Sequence, residues 1–483
     1  MQGVKNGVCM KILIFGTGKI YQRFSECFVR ANVVGFLDND SSKQGQCLNG
    51  IKIYSPDSVL FIDYQQIYLL SAKADEMRKQ LVDLGVDEHC IFEVHELYKG
   101  LRDLLTPPKC WMYCIDGTKR YARKKEATGH LLLLTPNLNL NGAEVALCQL
   151  VRVLLILGYR PMVASLTDGD LRGELVGMGV PVLILGLAAH DIPLARQDCL
   201  GGAQAYILNT IEMYLLLQER DQNIPVLWWL HDSDMVYREM RIHDESLMHL
   251  DVDNIRIEAV SNVAREAFIE HYAKECRVGI MPYGLENWAK KKNTMRHDGK
   301  KMTFCVSGGL TKRKAQGDFI AAVALLPDKI LDTCRFVLIG QGGGELLTEL
   351  KAQAKNLPIE FLGEFSRNDM LRFYEEDLDV LVCPSLSDTL PIVTVEAMMF
   401  GCPVIASEAV GTSTLLIEYQ AGMVVPVGDA DKLASAMLWM FEHPEERTKM
   451  GTAAKKIYSD MFSLSDFKKR VEEVMQAILC KHE

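Results

Sequence analysis

The chain has 483 residues, and at roughly 100 to 200 residues per domain this length predicts about three domains rather than one core. Hydrophobic residues make up 48% and charged residues 24%, which is typical of a folded globular protein and excludes a disordered or fibrous chain. Lys and Arg number 53 against 63 Asp and Glu, a net charge of −10 that argues against a nucleic-acid partner, because phosphate binding needs clustered cations.

The 14 cysteines are scattered and include no CxxC pair, which favours reduced thiols in the cytoplasm over a disulfide framework. No second Cys/His pair at zinc-ligand spacing follows Cys110 and Cys114, so we predict no metal site. The richest apolar stretch, residues 145–157, is interrupted by Gln149 and Arg152 and is too short to span a bilayer. We therefore expect a cytoplasmic protein.

The first predicted elements, within residues 1–105, alternate between strands and helices, as in a small parallel α/β domain. Gly16-Thr-Gly18 follows the first strand like a dinucleotide-binding turn, but Tyr21 stands where the third glycine belongs. Asp38 ends the second strand, where a ribose-binding acid could lie. The predicted strands are residues 11–15, 33–38, 67–71 and 90–93, with helices running to about residue 30 and over residues 74–84.

The role of this first domain has two interpretations. Residues 35–40 and 49–54 resemble the small Rossmann-like domains attached to bacterial sugar-modifying enzymes. That resemblance implies a binding or scaffolding role. NAD binding through the glycine turn and Asp38, as in an oxidoreductase, is the alternative.

A linker is predicted over residues 106–128, where Pro107-Pro108 ends the regular pattern. Residues 119–125 contain five cations in seven positions, Lys119-Arg-Tyr-Ala-Arg-Lys-Lys125. Such a segment is usually a solvated connection. The sharper interpretation is peripheral contact with anionic lipid at the inner face of the membrane, since polybasic segments bind such surfaces.

Two further α/β series follow, over residues 129–288 and 302–483, separated by a polar, basic stretch without periodicity. Successive doubly wound sheets leave a cleft at the carboxyl ends of their strands, where ligands bind. The predicted strands are residues 130–136, 161–166, 180–185, 205–208, 226–230, 257–260, 302–307, 335–340, 359–362, 380–384 and 403–406. Terminal helices are predicted over residues 430–441, 444–462 and 465–479.

The most informative stretch is Pro384-Ser-Leu-Ser-Asp388-Thr-Leu-Pro391-Ile-Val-Thr-Val-Glu396, followed by Gly401-Cys-Pro-Val-Ile. A strand ends at Pro384, and Pro391 suits the first turn of the next helix because it lacks an N–H. The free amides of Leu390, Ile392 and Val393 would form an anion site at the helix start. Glu396 lies over one turn further on, where it could accept hydrogen bonds from a sugar diol.

In this setting Asp388 and Glu396 resemble the acid-x7-Glu signature of the retaining glycosyltransferases of family 4, which have the GT-B fold. The resemblance covers about residues 130–475. It implies that Asp388 contacts the donor sugar and that Glu396 holds the ribose hydroxyls of the nucleotide. The first domain would be an addition to this fold.

Three further motifs carry the same resemblance in the same order. Ser307-Gly-Gly-Leu-Thr-Lys-Arg313-Lys314 resembles the loop whose basic pair binds the donor diphosphate, although Gly309 stands where many relatives have Arg. Residues 339–345 resemble the family's glycine turn. Residues 361–365, with Gly363, match the segment where relatives recognise the nucleobase through backbone groups.

The second series contributes two candidate positions. Asn137-Leu-Asn-Leu-Asn141-Gly142 resembles the loop that places a glycine amide near the donor phosphate or the acceptor, with Asn141 replacing the first glycine. His231 follows a strand at the position where relatives have a histidine near the donor sugar.

The resemblance implies a retaining, metal-independent glycosyltransferase that needs no cofactor. We expect it to move a sugar from a nucleotide donor, with UDP as the expected nucleotide, to a glycan or lipid-linked acceptor in polysaccharide or glycoconjugate synthesis. The catalytic candidates are His231, Asp388 and Glu396. The donor-binding candidates are Arg313, Lys314, Gly142, Asn141, Thr389, Leu390, Ile392 and Gly363. A catalytically inactive partner subunit is the alternative, since Gly309 and Asn141 depart from the family pattern.

Overall fold

The computed structural model describes residues 11–18, 21, 28, 32–71, 73–93, 113–115, 130–185, 203–217, 220–239, 250–272, 275–289, 301–342 and 344–479. Three sheets are present in these residues. The chain divides into two compact units, Met1–Tyr113 with Ile184–Ile192, and Cys114–Leu183 with Pro193–Glu483. The predicted helix before residue 30 and the basic segment 119–125 lie almost entirely outside the described residues.

The first sheet has the strand order β3-β4-β2-β1-β5-β6, and all of its pairings are parallel except the β3–β4 hairpin. This is a Rossmann-type order, with the buried first strand in the middle. Its strands are β1 (Lys11–Phe15), β2 (Asn32–Leu37), β3 (Cys47–Leu48), β4 (Ile51–Tyr54), β5 (Gln66–Leu69) and β6 (Ile91–Glu93), with the helix α1 (Ala74–Asp83).

The second sheet has the order β14-β13-β12-β11-β8-β9-β10-β7. Its central strands are buried runs of apolar residues, as expected for parallel strands covered on both faces. Its strands are β7 (Tyr113–Ile115), β8 (His130–Thr135), β9 (Arg160–Ser165), β10 (Val182–Ile184), β11 (Ala205–Asn209), β12 (Val226–Leu230), β13 (Ile255–Ala259) and β14 (Val278–Ile280). Its helices are α2 (Gly142–Ile156), α3 (Leu171–Gly177), α4 (Asp234–Glu239) and α5 (Asn262–His271).

The third sheet is parallel, in the order β17-β16-β15-β18-β19-β20. Its strands are β15 (Met302–Ser307), β16 (Cys334–Ile339), β17 (Ile359–Gly363), β18 (Val380–Cys383), β19 (Val404–Ser407) and β20 (Gly422–Val425). Its helices are α6 (Gln316–Ala324), α7 (Asp328–Thr333), α8 (Gly344–Gln353), α9 (Arg367–Glu376), α10 (Ile392–Met399), α11 (Ser413–Glu418), α12 (Ala430–Glu442), α13 (Pro444–Ile457) and α14 (Leu464–Leu479).

Apart from Tyr113 of β7 and Ile184 of β10, the second and third sheets belong to one compact unit. Segments that follow these two sheets contact each other. Leu285, after the second sheet, pairs with Ser463, just before α14. The Tyr458 hydroxyl donates to the Leu285 carbonyl at 2.9 Å. The last helix then packs on α2 of the second sheet. The terminal helix therefore stabilises the N-terminal half, although it follows the third sheet in sequence.

Among the described helices, none combines the length and apolar character that a membrane crossing needs.

Candidate functional site

The candidate residues lie where parallel strands of the second and third sheets end. His231 directly follows β12, the loop 308–315 follows β15, and the loop 384–391 follows β18. The third sheet changes direction of winding between β15 and β18, so these two loops leave neighbouring strands on either side of a switch point. Such a point is the usual ligand-binding crevice of an open α/β sheet.

Arg313, Lys314 and Asp388 form one cluster. The Lys314 Nζ lies 2.5 Å from Asp388 Oδ2, and the Arg313 Nη1 lies 3.2 Å from the same oxygen. Arg313 Nη1 also donates to the Ser387 carbonyl at 2.7 Å. Asp388 is buried, whereas Arg313 is about one-third exposed. The two cations predicted to bind phosphate and the acid predicted to contact sugar therefore meet, and the acid neutralises part of the cationic charge.

The loop that carries Asp388 is fixed by its own backbone. The Asp388 amide donates to the Ala409 carbonyl at 3.1 Å, and the Asp388 carbonyl accepts from the Gly411 amide at 2.8 Å. Pro391 is the N-cap residue, so α10 begins one residue later than the predicted first turn. The amides of Ile392 and Val393 are in the first turn and have no acceptor inside the helix. An anion near Asp388 would meet these N–H groups and the positive helix end.

Glu396 lies in α10 and is almost completely buried, with 2% of its surface exposed. Its Oε1 accepts a hydrogen bond from the Arg367 guanidinium, which comes from the first residue of α9. Burial, and after it the Glu396 charge, raise the pKa of the Tyr283 and Tyr374 hydroxyls well above the ordinary value. The sequence analysis did not find Arg367. Its signal was a cation in the first turn of a helix, where acids are favoured.

His231 stands on the opposite side of the site, in the half formed by the second sheet. Its ring packs edge-on against Trp229, with ring centroids 4.5 Å apart. Burial lowers the pKa of the imidazole to about 3, so it is neutral at pH 7. Its Nε2 is buried and has no hydrogen-bond partner among the described residues. A ligand hydroxyl could satisfy this nitrogen.

The two halves touch beside His231. The Thr389 hydroxyl donates to the His231 carbonyl at 2.7 Å, and the Tyr283 hydroxyl donates to the Leu390 carbonyl at 3.0 Å. Thr389 and Leu390, predicted as donor-binding residues, therefore use one polar group each to join the halves. Their amides belong to the loop that leads into α10.

Asn141 and Gly142 open the helix α2 at the end of the loop after β8, with Asn141 as its N-cap residue. The Asn141 amide side chain donates to Asn137 Oδ1 at 3.4 Å, and Asn137 Nδ2 donates to Glu144 Oε1 at 3.0 Å. Burial raises the pKa of Glu144 to about 7. The backbone of Asn141 is extended, with a φ of −95°, so this position does not require a glycine.

Asp232, next to His231, is a further buried acid, and the sequence analysis did not identify it. Its Oδ2 accepts from the Ile211 amide at 2.7 Å. Burial raises the pKa of its carboxyl to about 7, and the Glu212 charge acts in the same direction. Asp232 thereby fixes the ends of β11 and β12 relative to each other.

Gly363 lines a small pocket at the carboxyl edge of the third sheet, together with glycines and apolar side chains of β16, β17 and α8. Its φ of +73° is in the left-handed region that favours glycine. The Gly363 carbonyl accepts from the Gly340 amide at 2.8 Å. A Cβ at Gly342 would lie 2.4 Å from Leu310, so the pocket wall depends on glycine. A flat ring could bind here against backbone groups.

In the first domain, the Asp38 carboxylate accepts hydrogen bonds from nearby residues. Its Oδ2 accepts from the Thr17 amide at 3.1 Å and from Lys43 at 3.2 Å, and its Oδ1 accepts from the Asp40 amide at 2.9 Å. A Cβ at Gly16 would lie 2.7 Å from the Leu70 carbonyl oxygen, so packing alone requires this glycine. The glycine turn and Asp38 thus contact each other within the first domain, and its scaffolding role and the NAD-binding alternative both stay predictions.

Two known protein families match parts of the chain. The family described as glycosyl transferases group 1 matches residues 288–457, and the family described as C2185-like, N-terminal, matches residues 8–92. Residues 288–457 are therefore similar to the group 1 glycosyl transferases.

Two curated relatives each match about a quarter of the chain. The D-rhamnosyltransferase WbpZ of Pseudomonas aeruginosa is 34% identical over 128 residues, which is 25% of this chain and 33% of the relative. The phosphatidyl-myo-inositol mannosyltransferase of Mycolicibacterium smegmatis is 31% identical over 141 residues, 28% of this chain and 34% of the relative. The chain thus matches about a third of the length of these relatives.

Among solved structures, the chain is similar to Alr3699/HepE of Anabaena in complex with UDP-glucose. The TM-score is 0.60 at 19% identity, and the match covers 72% of this chain and 100% of that one. At this identity the likeness concerns the fold. The expected fold is confirmed: the second and third sheets form a GT-B fold, and a further small α/β domain precedes them.

Proposed function

We propose that the chain is a retaining, metal-independent glycosyltransferase that transfers a sugar from a nucleotide donor to a hydroxyl of an acceptor. The observation that carries this proposal is the cluster of Arg313, Lys314 and Asp388 beside the start of α10, at the switch point of a sheet in a GT-B fold. Cations, helix amides and a buried acid brought together by two neighbouring loops suit a molecule that combines a diphosphate with a sugar.

Arg313, Lys314 and the amides at the start of α10 would bind the donor diphosphate. Negative charge grows on the diphosphate as it leaves, so fixed cations stabilise the transition state more than the ground state. Cationic side chains would supply the charge stabilisation that a metal ion gives in other enzymes. Because both cations pair with Asp388 in the free protein, the diphosphate would take over these contacts and leave the carboxylate to bind sugar hydroxyls.

The acceptor would approach from the half that contains His231. Neutral His231 offers its unpartnered Nε2 to a donor-sugar hydroxyl, and the loop with Asn141 and Gly142 borders the same half. The bond between the anomeric carbon and the diphosphate would break through an oxocarbenium-like state, and the acceptor hydroxyl would bond to that carbon on the same face. The leaving phosphate would accept the proton of the attacking hydroxyl. Because attack and departure share one face, the anomeric configuration would be kept.

We infer a UDP-linked donor and a glycan or lipid-linked acceptor in polysaccharide or glycoconjugate synthesis. The pocket at Gly363 would hold the base. HepE, described in complex with UDP-glucose, supports the nucleotide, and the name of the phosphatidyl-myo-inositol mannosyltransferase supports a lipid-linked acceptor. The protein would act in the cytoplasm, at the inner face of the membrane where such acceptors are presented.

The test compares Lys314→Ala and Glu396→Gln with the parent protein. Lys314→Ala removes a cation from the leaving diphosphate, and we expect kcat/KM for sugar transfer or donor hydrolysis to fall about 100-fold. Lys312→Ala is the matched control, because Lys312 lies in the same short 3-10 turn but is exposed. It should stay within about twofold of the parent.

A screen of nucleotide sugars by thermal shift identifies the donor first, since a bound ligand raises the melting temperature. Binding of UDP-sugars without binding of GDP-sugars supports the proposed base. Unchanged rates in both active-site variants would contradict the proposal. Absence of binding to any nucleotide sugar would favour the inactive partner subunit instead.

A further inference from the structure

The acid predicted to hold the ribose has an unusual partner. Glu396 is almost completely buried, and a buried carboxylate is costly unless a cation or several donors compensate for the lost water. Among the described residues, Arg367 is the cation within 4 Å of it. Burial raises the pKa of the Tyr283 and Tyr374 phenols well above the ordinary value, and the Glu396 charge acts in the same direction, so both phenols are uncharged at pH 7. Arg367 is therefore the cation that compensates the buried carboxylate.

The position of Arg367 in its helix gives a second observation. Ser366 caps α9 by accepting from the Asp369 amide at 3.2 Å and donates to Asp369 Oδ2 at 2.6 Å. This cap fixes the backbone of the first turn. A cation in that turn opposes the helix dipole and is unfavourable there. Arg367 thus does not benefit its own helix, and its guanidinium reaches instead across to α10.

The exposure of the pair is unequal. The Arg367 side chain is 49% exposed, whereas the Glu396 side chain is 3% exposed. The guanidinium therefore covers the buried carboxylate from the solvent side. A carboxylate offers about four lone-pair directions, so one bond from Arg367 leaves acceptor capacity for hydroxyl groups.

We propose that Arg367 is a positioning residue for donor binding, which orients the Glu396 carboxylate so that it can accept the two ribose hydroxyls of a nucleoside diphosphate. This inference rests on the proposed function, because it takes the ribose as the ligand of Glu396. The guanidinium shares the carboxylate with the ribose and stays at the solvent side of it.

The experiment measures the dissociation constants of UDP and GDP, and of their 2′,3′-dideoxy analogues, by calorimetry on the full chain. Arg367→Met should weaken the ribonucleotide that the parent binds by about tenfold, which corresponds to about 1.4 kcal/mol. The dideoxy analogue should bind the parent and Arg367→Met equally, because it has no hydroxyls for Glu396 to accept. Arg367→Lys should recover part of the loss.

Glu396→Gln should weaken the ribonucleotide as well.

Arg372→Met is the matched control, since Arg372 is an exposed arginine of the same helix. It should bind every nucleotide like the parent. Equal affinity of Arg367→Met and the parent for the ribonucleotide would overturn the inference, as would an equal loss for the dideoxy analogue. A parent protein that binds no nucleoside diphosphate would instead contradict the proposed function.

Discussion

Asp388 and Glu396 stand eight positions apart in sequence, yet each has its own cation in the structure. Asp388 pairs with Lys314 and Arg313 from the loop after β15, and Glu396 pairs with Arg367 from the start of α9. The acids and the first two cations were predicted from their motif. Arg367 was not, because no local pattern relates it to a residue 29 positions away.

Asp232 leads to a prediction about stability and pH. Burial raises the pKa of its carboxyl from 3.8 to about 7. Between these values the folded chain holds a proton that the unfolded chain has released, so stability falls as the pH rises from about 4 to about 7 and is level above. Asp232→Asn cannot ionise and can still accept from the Ile211 amide. It should be more stable than the parent at pH 8, by on the order of 1 to 3 kcal/mol.

Urea unfolding at pH 4.5 and pH 8 checks this prediction. The gain of Asp232→Asn should shrink towards zero at pH 4.5, where the parent carboxyl is protonated in the folded state. Asp332→Asn, at an exposed position of α7, is the control and should change stability by less than about 0.5 kcal/mol at either pH. An equal effect of Asp232→Asn at both pH values would contradict the prediction.

At the scale of elements, the alternation of buried apolar runs and amphipathic segments predicted most strands and helices to within a few residues. The strands that the sequence analysis did not predict are short or lie at a sheet edge: β3, β4, β7, β14 and β20. β14 and β20 contain a glycine, which weakens a strand pattern. Their pairing with a neighbouring strand, rather than their own composition, determines that they are extended.

The loop that carries Asp388 depends on a close approach of two backbone segments. A Cβ at Gly411 would lie 1.6 Å from the Thr389 carbonyl oxygen. Gly411→Ala must therefore displace the Asp388 loop, and we expect a loss of stability of about 1 to 3 kcal/mol or more together with weaker nucleotide binding. Thermal unfolding and nucleotide titration measure the two effects.

Gly173→Ala is the comparison for this variant. Gly173 lies in α3, is exposed, and a Cβ there would meet no atom within 4 Å. Alanine should stabilise this helix by about 0.5 to 1 kcal/mol. If Gly411→Ala were as well tolerated as Gly173→Ala, the Asp388 loop would not be held by the contact between Thr389 and Gly411.

At the scale of the whole molecule, the C-terminal helix completes the N-terminal half of the GT-B fold. Phe467 of α14 is fully buried and stacks on Trp229 of β12, with ring centroids 5.8 Å apart. Gly284 leaves room for it, since a Cβ there would lie 2.4 Å from the Phe467 Cβ. Trp229 in turn contacts His231, so the terminal helix supports the floor of the candidate site.

Phe467→Ala should therefore destabilise the chain by about 3 to 5 kcal/mol, as a large-to-small change in a core does. Tryptophan fluorescence during urea unfolding follows the change beside Trp229. Phe467→Leu keeps most of the buried volume and should lose less. A fully stable Phe467→Ala variant would contradict the packing of α14 against the second sheet.

The sequence by itself predicted the alternation of strands and helices, because periodicity is a local property of the chain. The resemblance of its motifs implied the GT-B fold and the candidate acids Asp388 and Glu396 with their basic pair. The tertiary structure decided which charges meet. Lys314 and Asp388 are 74 positions apart and come together only because β15 and β18 are neighbours in the third sheet. The same reason holds for Arg367 at Glu396 and for the last helix beneath His231, since burial and ion pairing depend on which segments the sheet order brings together.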